Sequence, residues 1–317
     1  MRKTKSESGL RIPFIIEVIK KYYKEPILSV LYLGGGSYGF VYKVTFEKSY
    51  KPVVVKGYRV NGMHKTEKFQ TELLSKNTSV KMPEIYHVFD HSEDVPFDAI
   101  IMEYIDGVDG FTTPSLLLKS SSTRKAFARS VVDGMVQIHM AKNDKFGYVE
   151  SPTYDTWQEF YLTIVAFVQT GTQQLLIEKK IKPKYAKMMD YITSIFEQVF
   201  DEFIEDATLI HGDLNVMNML VNPKKLELVA FIDPFNSMWA DRDYDLFQLN
   251  NLTGKRFFLF RTYENTVKLS SKTHLKCAYY AYVNELLCYI LSGFTLEFLL
   301  NFVYNSLRNE LKKAELL

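Results

Sequence analysis

Three oxygen-bearing side chains in one stretch, LIHGDLNVMNMLVNPKKLELVAFIDP (209–234), could serve a divalent cation and a proton together. Residues 219–221 and 228–232 have strand character and NPKK between them is a turn, which predicts an antiparallel hairpin. Residues equally far from its tip face each other at the open end. Asn218 and Asp233, placed evenly about 225–226, are therefore predicted to meet. An amide oxygen and a carboxylate are hard donors suited to Mg²⁺, which keeps waters and shares substrate phosphates. Asp213 lies five residues before Asn218, in the loop entering the hairpin. Its carboxylate belongs beside the metal without binding it, where a base orienting an acceptor hydroxyl should stand. Taken singly, the three are a turn former, a cap and a strand end; their joint spacing carries the chemistry.

Such a site needs a phosphate donor and elements that hold it. LYLGGGSYGFVYKV (31–44) places Gly34, Gly35, Gly36 and Ser37 between two alternating apolar runs. A Walker loop would need a lysine after its last glycine, and a Rossmann loop would open a helix. Here the chain continues as a strand, so the loop is read as a hairpin tip of the kind that covers a nucleotide, or as an ordinary glycine hairpin. In VVVKGY, strand alternation with Val54 turns Lys56 inward. A buried lysine needs an anion. Glu72, on the helix expected over 63–77 between Phe69 and Leu73, is the expected partner.

Around these residues the texture divides. PFIIEVIKKYYK (13–24) has helical spacing, with Pro13 suited to a first turn. ILSVLYL, FVYKVTF, PVVVKGY, MPEIYHVFDH and FDAIIMEYI read as five strands, with one helix after the third. Beyond Tyr104 the periodicity is helical, interrupted only by the 218–233 hairpin, and helices are expected to continue to the end.

Composition excludes some classes. A formal net charge of +2 over 317 residues does not mark a nucleic-acid binder. Cys277 and Cys288 form no C-x-x-C pair, which fits a reducing cytosol and excludes a cysteine-based zinc site. The basic N-terminus is followed by no long apolar core, so no signal peptide is read. The apolar stretch 277–304 is interrupted by Asn284, Glu285, Gly293 and Glu297, and is read as two buried helices rather than a membrane span.

H-G-D-L-x-x-x-N (211–218) followed by I-D-P (232–234) resembles the catalytic and metal loops of small-molecule kinases of the aminoglycoside phosphotransferase and choline kinase type. Protein kinases carry Arg in place of Gly212 and D-F-G in place of Asp233-Pro234-Phe235, with an activation segment that is missing here. The resemblance extends over most of the chain and looks nearest to the fructosamine kinases, through FGY (146–148), TWQEFY (156–161) and DRDYDLFQLNNLTGKRFFLFRTY (241–263). It departs at Asn215-Val216-Met217 and at VESPTYD, where such enzymes contact the acceptor.

The resemblance implies an α+β, protein-kinase-like fold of two lobes. An N-terminal nucleotide-binding lobe (1–105) would hold the five-stranded antiparallel sheet and one helix, and a mainly helical lobe (106–317) would hold the acceptor. ATP and Mg²⁺ are the implied cofactors, with Lys56 on the α/β-phosphates and the backbone of Ile101, Glu103 and Tyr104 on the adenine. His211 is implied to hold the catalytic loop by hydrogen bonds. Arg242, Asp243 and Asp245 are expected to support that loop, Trp157 to be core and Trp239 to be a candidate for the acceptor pocket. The implied reaction is phosphorylation of a small polar hydroxyl compound in the cytoplasm, without a nucleic-acid or membrane partner. An antibiotic acceptor and a nucleotide-binding pseudokinase are the alternatives.

Overall fold

A computed structural model describes residues 4–36, 38–48, 50–111 and 113–317. Its N-terminal part is one antiparallel sheet in the order β1-β2-β3-β5-β4, formed by β1 (Ile27–Gly35), β2 (Gly39–Phe46), β3 (Val53–Tyr58), β4 (Ile85–Phe89) and β5 (Ala99–Glu103). Alternation gives the sheet two working faces. Phe40, Tyr42, Val44 and Phe46 of β2 pack with Ile15, Val18 and Ile19 of α1 (Thr4–Lys20). On the other face, Val54, Tyr58, Ile100 and Met102 form a smaller cluster on the side of α2 (Met63–Ser75). Helix α1 begins well before the expected Pro13: the proline lies inside the helix, which ends before Tyr22 and Tyr23.

The remainder is mainly helical: α3 (Ser121–His139), α4 (Trp157–Ile177), α5 (Pro183–Ser194), α6 (Phe196–Val199), α7 (Asp243–Leu249), α8 (Leu252–Arg256), α9 (Leu259–Thr266), α10 (Thr273–Ser292) and α11 (Glu297–Lys313). Thr156 and Glu159 start α4 with a reciprocal capping box. The expected hairpin is present as β10 (Met219–Asn222) and β11 (Glu227–Phe231), with the short β6 (Val108–Asp109) added on β10. A further sheet, β7-β9-β12-β8, corrects the expectation that the hairpin alone interrupts the helices beyond Tyr104. It consists of β7 (Lys142–Asn143), β8 (Gly147–Tyr148), β9 (Ala207–Ile210) and β12 (Met238–Ala240). Strand β9 delivers the chain to His211 and β12 receives it after Asp233, so this sheet fixes both ends of the catalytic segment.

The 277–304 stretch forms most of α10 and the start of α11, with Leu291, Phe294, Leu296 and Phe298 exposed where the two helices join. Among the described residues, the helix long and apolar enough to cross a membrane, by length and composition, is instead α4. Its Trp157, Phe160, Tyr161, Val165, Val168, Thr172 and Leu175 are buried in the core of this protein.

Candidate active site

The hairpin brings its ends together one residue out of the predicted register. A bulge between Leu220 and Val221 shifts the pairing, so Ile232 N–H donates to the Asn218 carbonyl at 3.0 Å and Asp233 follows directly. Asp233 has φ 57, a left-handed backbone uncommon for a side-chain-bearing residue. The Asn218 amide nitrogen donates to the Asp213 carboxylate at 2.9 Å and to its carbonyl at 2.7 Å. With that nitrogen engaged, the Asn218 oxygen is left as an acceptor, and Asp233 presents a carboxylate 47% exposed. The donor set is therefore two hard oxygens, which fits Mg²⁺ sharing its remaining positions with water and phosphate.

Three amides grip the Asp213 carboxylate. Asn215 donates to Oδ1 at 2.8 Å, Gln248 of α7 to Oδ1 at 2.9 Å, and Asn218 to Oδ2. Burial pushes its carboxyl up to about 7; the charges of Asp233 and Asp245 add to this, and the Asn215 and Asn218 hydrogen bonds oppose it. Asn215, read from sequence only as a departure from the family pattern, thus helps aim the candidate base, and Gln248 was not foreseen.

Asp245 supports the loop from beneath. It is fully buried and accepts from the His211 and Gly212 N–H groups, each at 2.8 Å, while His139 Nε2 lies 3.2 Å away. His211 holds the loop by hydrogen bonds, as expected, and its ring is fully buried beside the Ile232 backbone. It lies edge-on to Phe231, burial lowers its pKa, and its main chain makes the anchoring contacts. Gly212 has φ +83, and an added Cβ would lie 2.3 Å from the Asn236 carbonyl. This gives a local reason for glycine where protein kinases carry arginine. Asp241 and Asp243 flank the buried Lys276 at 3.0 and 2.8 Å, and Tyr280, itself held by the Trp157 indole, donates to Asp241. Trp157 is core, as expected, and Trp239 lies in β12 against the same core. The nearest Arg242–Asp243 approach is 3.8 Å.

Lys56 does face inward, but its helix partner is Glu67, 2.6 Å away, and its Nζ also meets the Asp233 carboxylate. Burial alone would lower the Lys56 pKa; Glu67 and Asp233 outweigh it and leave the ammonium raised. Glu67 is raised by its own burial, with Lys56 and the Tyr58 hydroxyl opposing. Glu72 is exposed and lies 3.7 Å from Lys68. The sequence expectation failed because the inward face of α2 is largely polar: His64, Glu67, Gln70 and Thr71 are buried with Leu74, while Phe69 is exposed.

Gly34 and Gly35 end β1, opposite Val41 and Phe40, and Gly36 donates to the Gly39 carbonyl at 3.0 Å. Ser37 lies outside the described residues. Gly35 and Gly39 leave no room for a Cβ against neighbouring backbone, whereas a Cβ at Gly36 would meet open space. Tyr38 stacks on Phe235 at 4.8 Å, so the hairpin tip reaches over the segment that carries Asp233.

At the expected adenine edge, Ile101 is committed to the sheet between Val55 and His87, and Glu103 N–H donates to the Glu84 carbonyl at 2.8 Å. These two N–H groups are not available to a base. Backbone without such a partner among the described residues begins at Tyr104, whose ring lies under the Lys43 ammonium. Burial pushes the thiol of Cys288 in α10 up to about 11, and the nearby charges of Glu285 and Asp213 add to this.

The profile of the phosphotransferase enzyme family matches residues 36–257. The uncharacterized protein YcbJ of Escherichia coli K12 is 22% identical over 199 residues, 62% of this chain. The chain spans 65% of the length of that curated relative. Among solved structures, a thermostable mutant of aminoglycoside phosphotransferase APH(4)-Ia superposes with TM-score 0.70 at 14% identity, covering 95% of this chain and 98% of the other. A protein provisionally named fructosamine-3-kinase from Haemophilus somnus 129PT gives TM-score 0.67 at 16% identity over 94% and 96%. The GDP and kanamycin complex of APH(2")-IIia gives 0.63 at 16% identity over 95% and 99%. These likenesses establish the kinase-like fold that the sequence resemblance implied.

Proposed function

The chain belongs to the phosphotransferase enzyme family, and on that premise we propose that it transfers the γ-phosphoryl group of ATP to a hydroxyl of a small polar acceptor of the fructosamine or amino-sugar kind. The observation that carries this reading is the grip of Asn215, Asn218 and Gln248 on the Asp213 carboxylate, beside the Lys56–Asp233 contact. The nucleotide would lie between residues 1–105 and 106–317, under the glycine hairpin. The open space at Gly36 leaves room for phosphate oxygens close to backbone.

Each residue has a defined task in this reading. Lys56, fixed by Glu67, holds the α/β-phosphates. Asn218 and Asp233 would hold Mg²⁺ by their oxygens. Tyr104 and the backbone after it receive the adenine. Asp213 orients the acceptor hydroxyl and takes its proton as that oxygen bonds to the γ-phosphorus and the bond to the bridging oxygen breaks, releasing ADP. Mg²⁺, when bound, neutralises charge on the phosphates. Fixing three amides on one carboxylate in advance lowers the reorganisation needed at the moment of reaction. Residues 201–250 hold ten acidic residues against Lys224, Lys225 and Arg242, which favours an acceptor bearing an amine. An activity that consumes ATP would fit the cytoplasm.

The test is incubation with γ-labelled ATP, Mg²⁺ and fractionated metabolite extract, followed by mass identification of the labelled product. A phosphorylated small amine or sugar supports the reading. Label appearing only in protein, or no transfer across extracts and a panel of amino sugars, contradicts it.

A further inference from the structure

At one corner of the helical part, where α4 turns into α5 and α10 into α11, positive charge and exposed apolar side chains occur together. Residues 177–187, IEKKIKPKYAK, hold five lysines against Glu178, in a chain whose formal net charge is only +2. Ile177, Phe294 and Phe298 are 73%, 67% and 62% exposed, and Leu291 and Leu296 are exposed as well. Single exposed apolar residues are ordinary, but several gathered on two neighbouring turns mark a contact surface.

The two turns are held side by side. The Tyr289 hydroxyl donates to the Lys180 carbonyl at 2.9 Å, the Lys184 ammonium donates to the Asn301 side-chain oxygen at 2.7 Å, and Lys182 pairs with Glu297. Between them lies a cavity of about 570 Å³, with Leu176, Ile181 and Leu300 as well as Lys179, Lys180 and Lys182 in its lining.

These lysines are open to an external anion. All five are exposed, and Lys179 and Lys187 make no ion pair among the described residues. Lys180 pairs with Glu178 and Lys182 with Glu297 through exposed side chains, and pairs of that kind contribute little and exchange readily.

An anionic bilayer matches both properties of the corner. Lysines meet headgroup phosphates while apolar side chains beside them enter the interface. A second copy of the chain fits less well, because a two-fold contact would set the same lysines against one another. We infer that this corner docks the protein on a membrane surface rich in anionic phospholipid, without crossing it. The inference departs from the sequence reading of a chain without a membrane partner, and it does not rest on the phosphoryl-transfer reading.

Co-sedimentation of the full chain with vesicles is the test. Phosphatidylglycerol mixed with phosphatidylcholine is compared with phosphatidylcholine alone, at low and at high salt. Wild type is expected to sediment with the mixed vesicles at low salt, to be largely released at high salt, and to stay in solution with the neutral ones. Lys179→Glu with Lys187→Glu should lower the partition by at least about tenfold, and Phe294→Ser with Phe298→Ser by about tenfold. All four side chains are exposed, so both variants should melt as the wild type does. No sedimentation with the mixed vesicles, equal sedimentation with the neutral ones, or variants that partition like the wild type overturn the inference. So does self-association that the phenylalanine variant removes in a protein that binds no vesicles.

Discussion

Lys56 Nζ and Glu67 Oε2 lie 2.6 Å apart, with side chains 12% and 9% exposed, and the same ammonium reaches the Asp233 carboxylate. One lysine thereby joins α2, β3 and the end of the hairpin. Glu67→Gln should lower kcat/KM on any accepted substrate by roughly 10–100-fold and cost about 1–3 kcal/mol of stability, since Lys56 keeps only Asp233. Glu72→Gln should leave both unchanged, because that carboxylate is exposed and meets only Lys68. Parallel kinetics and denaturant unfolding of the two variants check this.

Asp245 accepts two main-chain N–H groups of the catalytic loop at 2.8 Å while fully buried. Asp245→Ala leaves both donors unpaired in the interior and should cost about 2–4 kcal/mol. Asp245→Asn can keep only part of the pattern and should fall between. Thermal unfolding of both variants measures the order; equal stability of Asp245→Ala and wild type contradicts the role assigned to this residue.

The N-terminal sheet was legible because its strands are long enough to alternate, as Phe40, Tyr42, Val44 and Phe46 do in β2. The β7-β9-β12-β8 sheet was not: its strands are two to four residues long, too short for a period to show. The hairpin was read correctly in kind but not in register, since a bulge leaves little compositional trace. Glu67 was missed for a different reason. Its helix buries His64, Gln70 and Thr71 beside it, so the inward face does not look apolar. Asn215 and Gln248 act through contacts made by the fold, and their types alone fit any polar surface.

The Asp213 carboxyl, pushed up to about 7 mainly by burial, gives a pH dependence of definite sign. Its folded pKa lies above its unfolded value near 4, so the folded state binds the extra proton between these two pH values. The stability it contributes is complete below about pH 4 and is lost as pH rises through 7. The stability difference between wild type and Asp213→Asn should therefore drift against the wild type from pH 4 to 7, by about 4 kcal/mol, then level off. Urea unfolding of both proteins across that range, without metal or nucleotide, gives the slope. A flat difference contradicts the raised pKa.

Cys288 is exposed at the residue level, yet its thiol is pushed up to about 11 by burial, Glu285 and Asp213. Alkylation reacts through the thiolate, so iodoacetamide should label it slowly near neutral pH. The rate should rise nearly tenfold per pH unit toward 11. Cys288→Ser should remove this labelling, since Cys277 is buried. Fast labelling at neutral pH would place the thiol in a different setting.

The account rests most directly on Asp213. Phosphoryl transfer and nucleotide binding should be measured side by side for wild type and Asp213→Ala, with ATP, Mg²⁺ and an acceptor the wild type phosphorylates. The account predicts that turnover falls by at least about 1,000-fold while nucleotide affinity stays within a few-fold. Turnover in Asp213→Ala close to that of the wild type would contradict it.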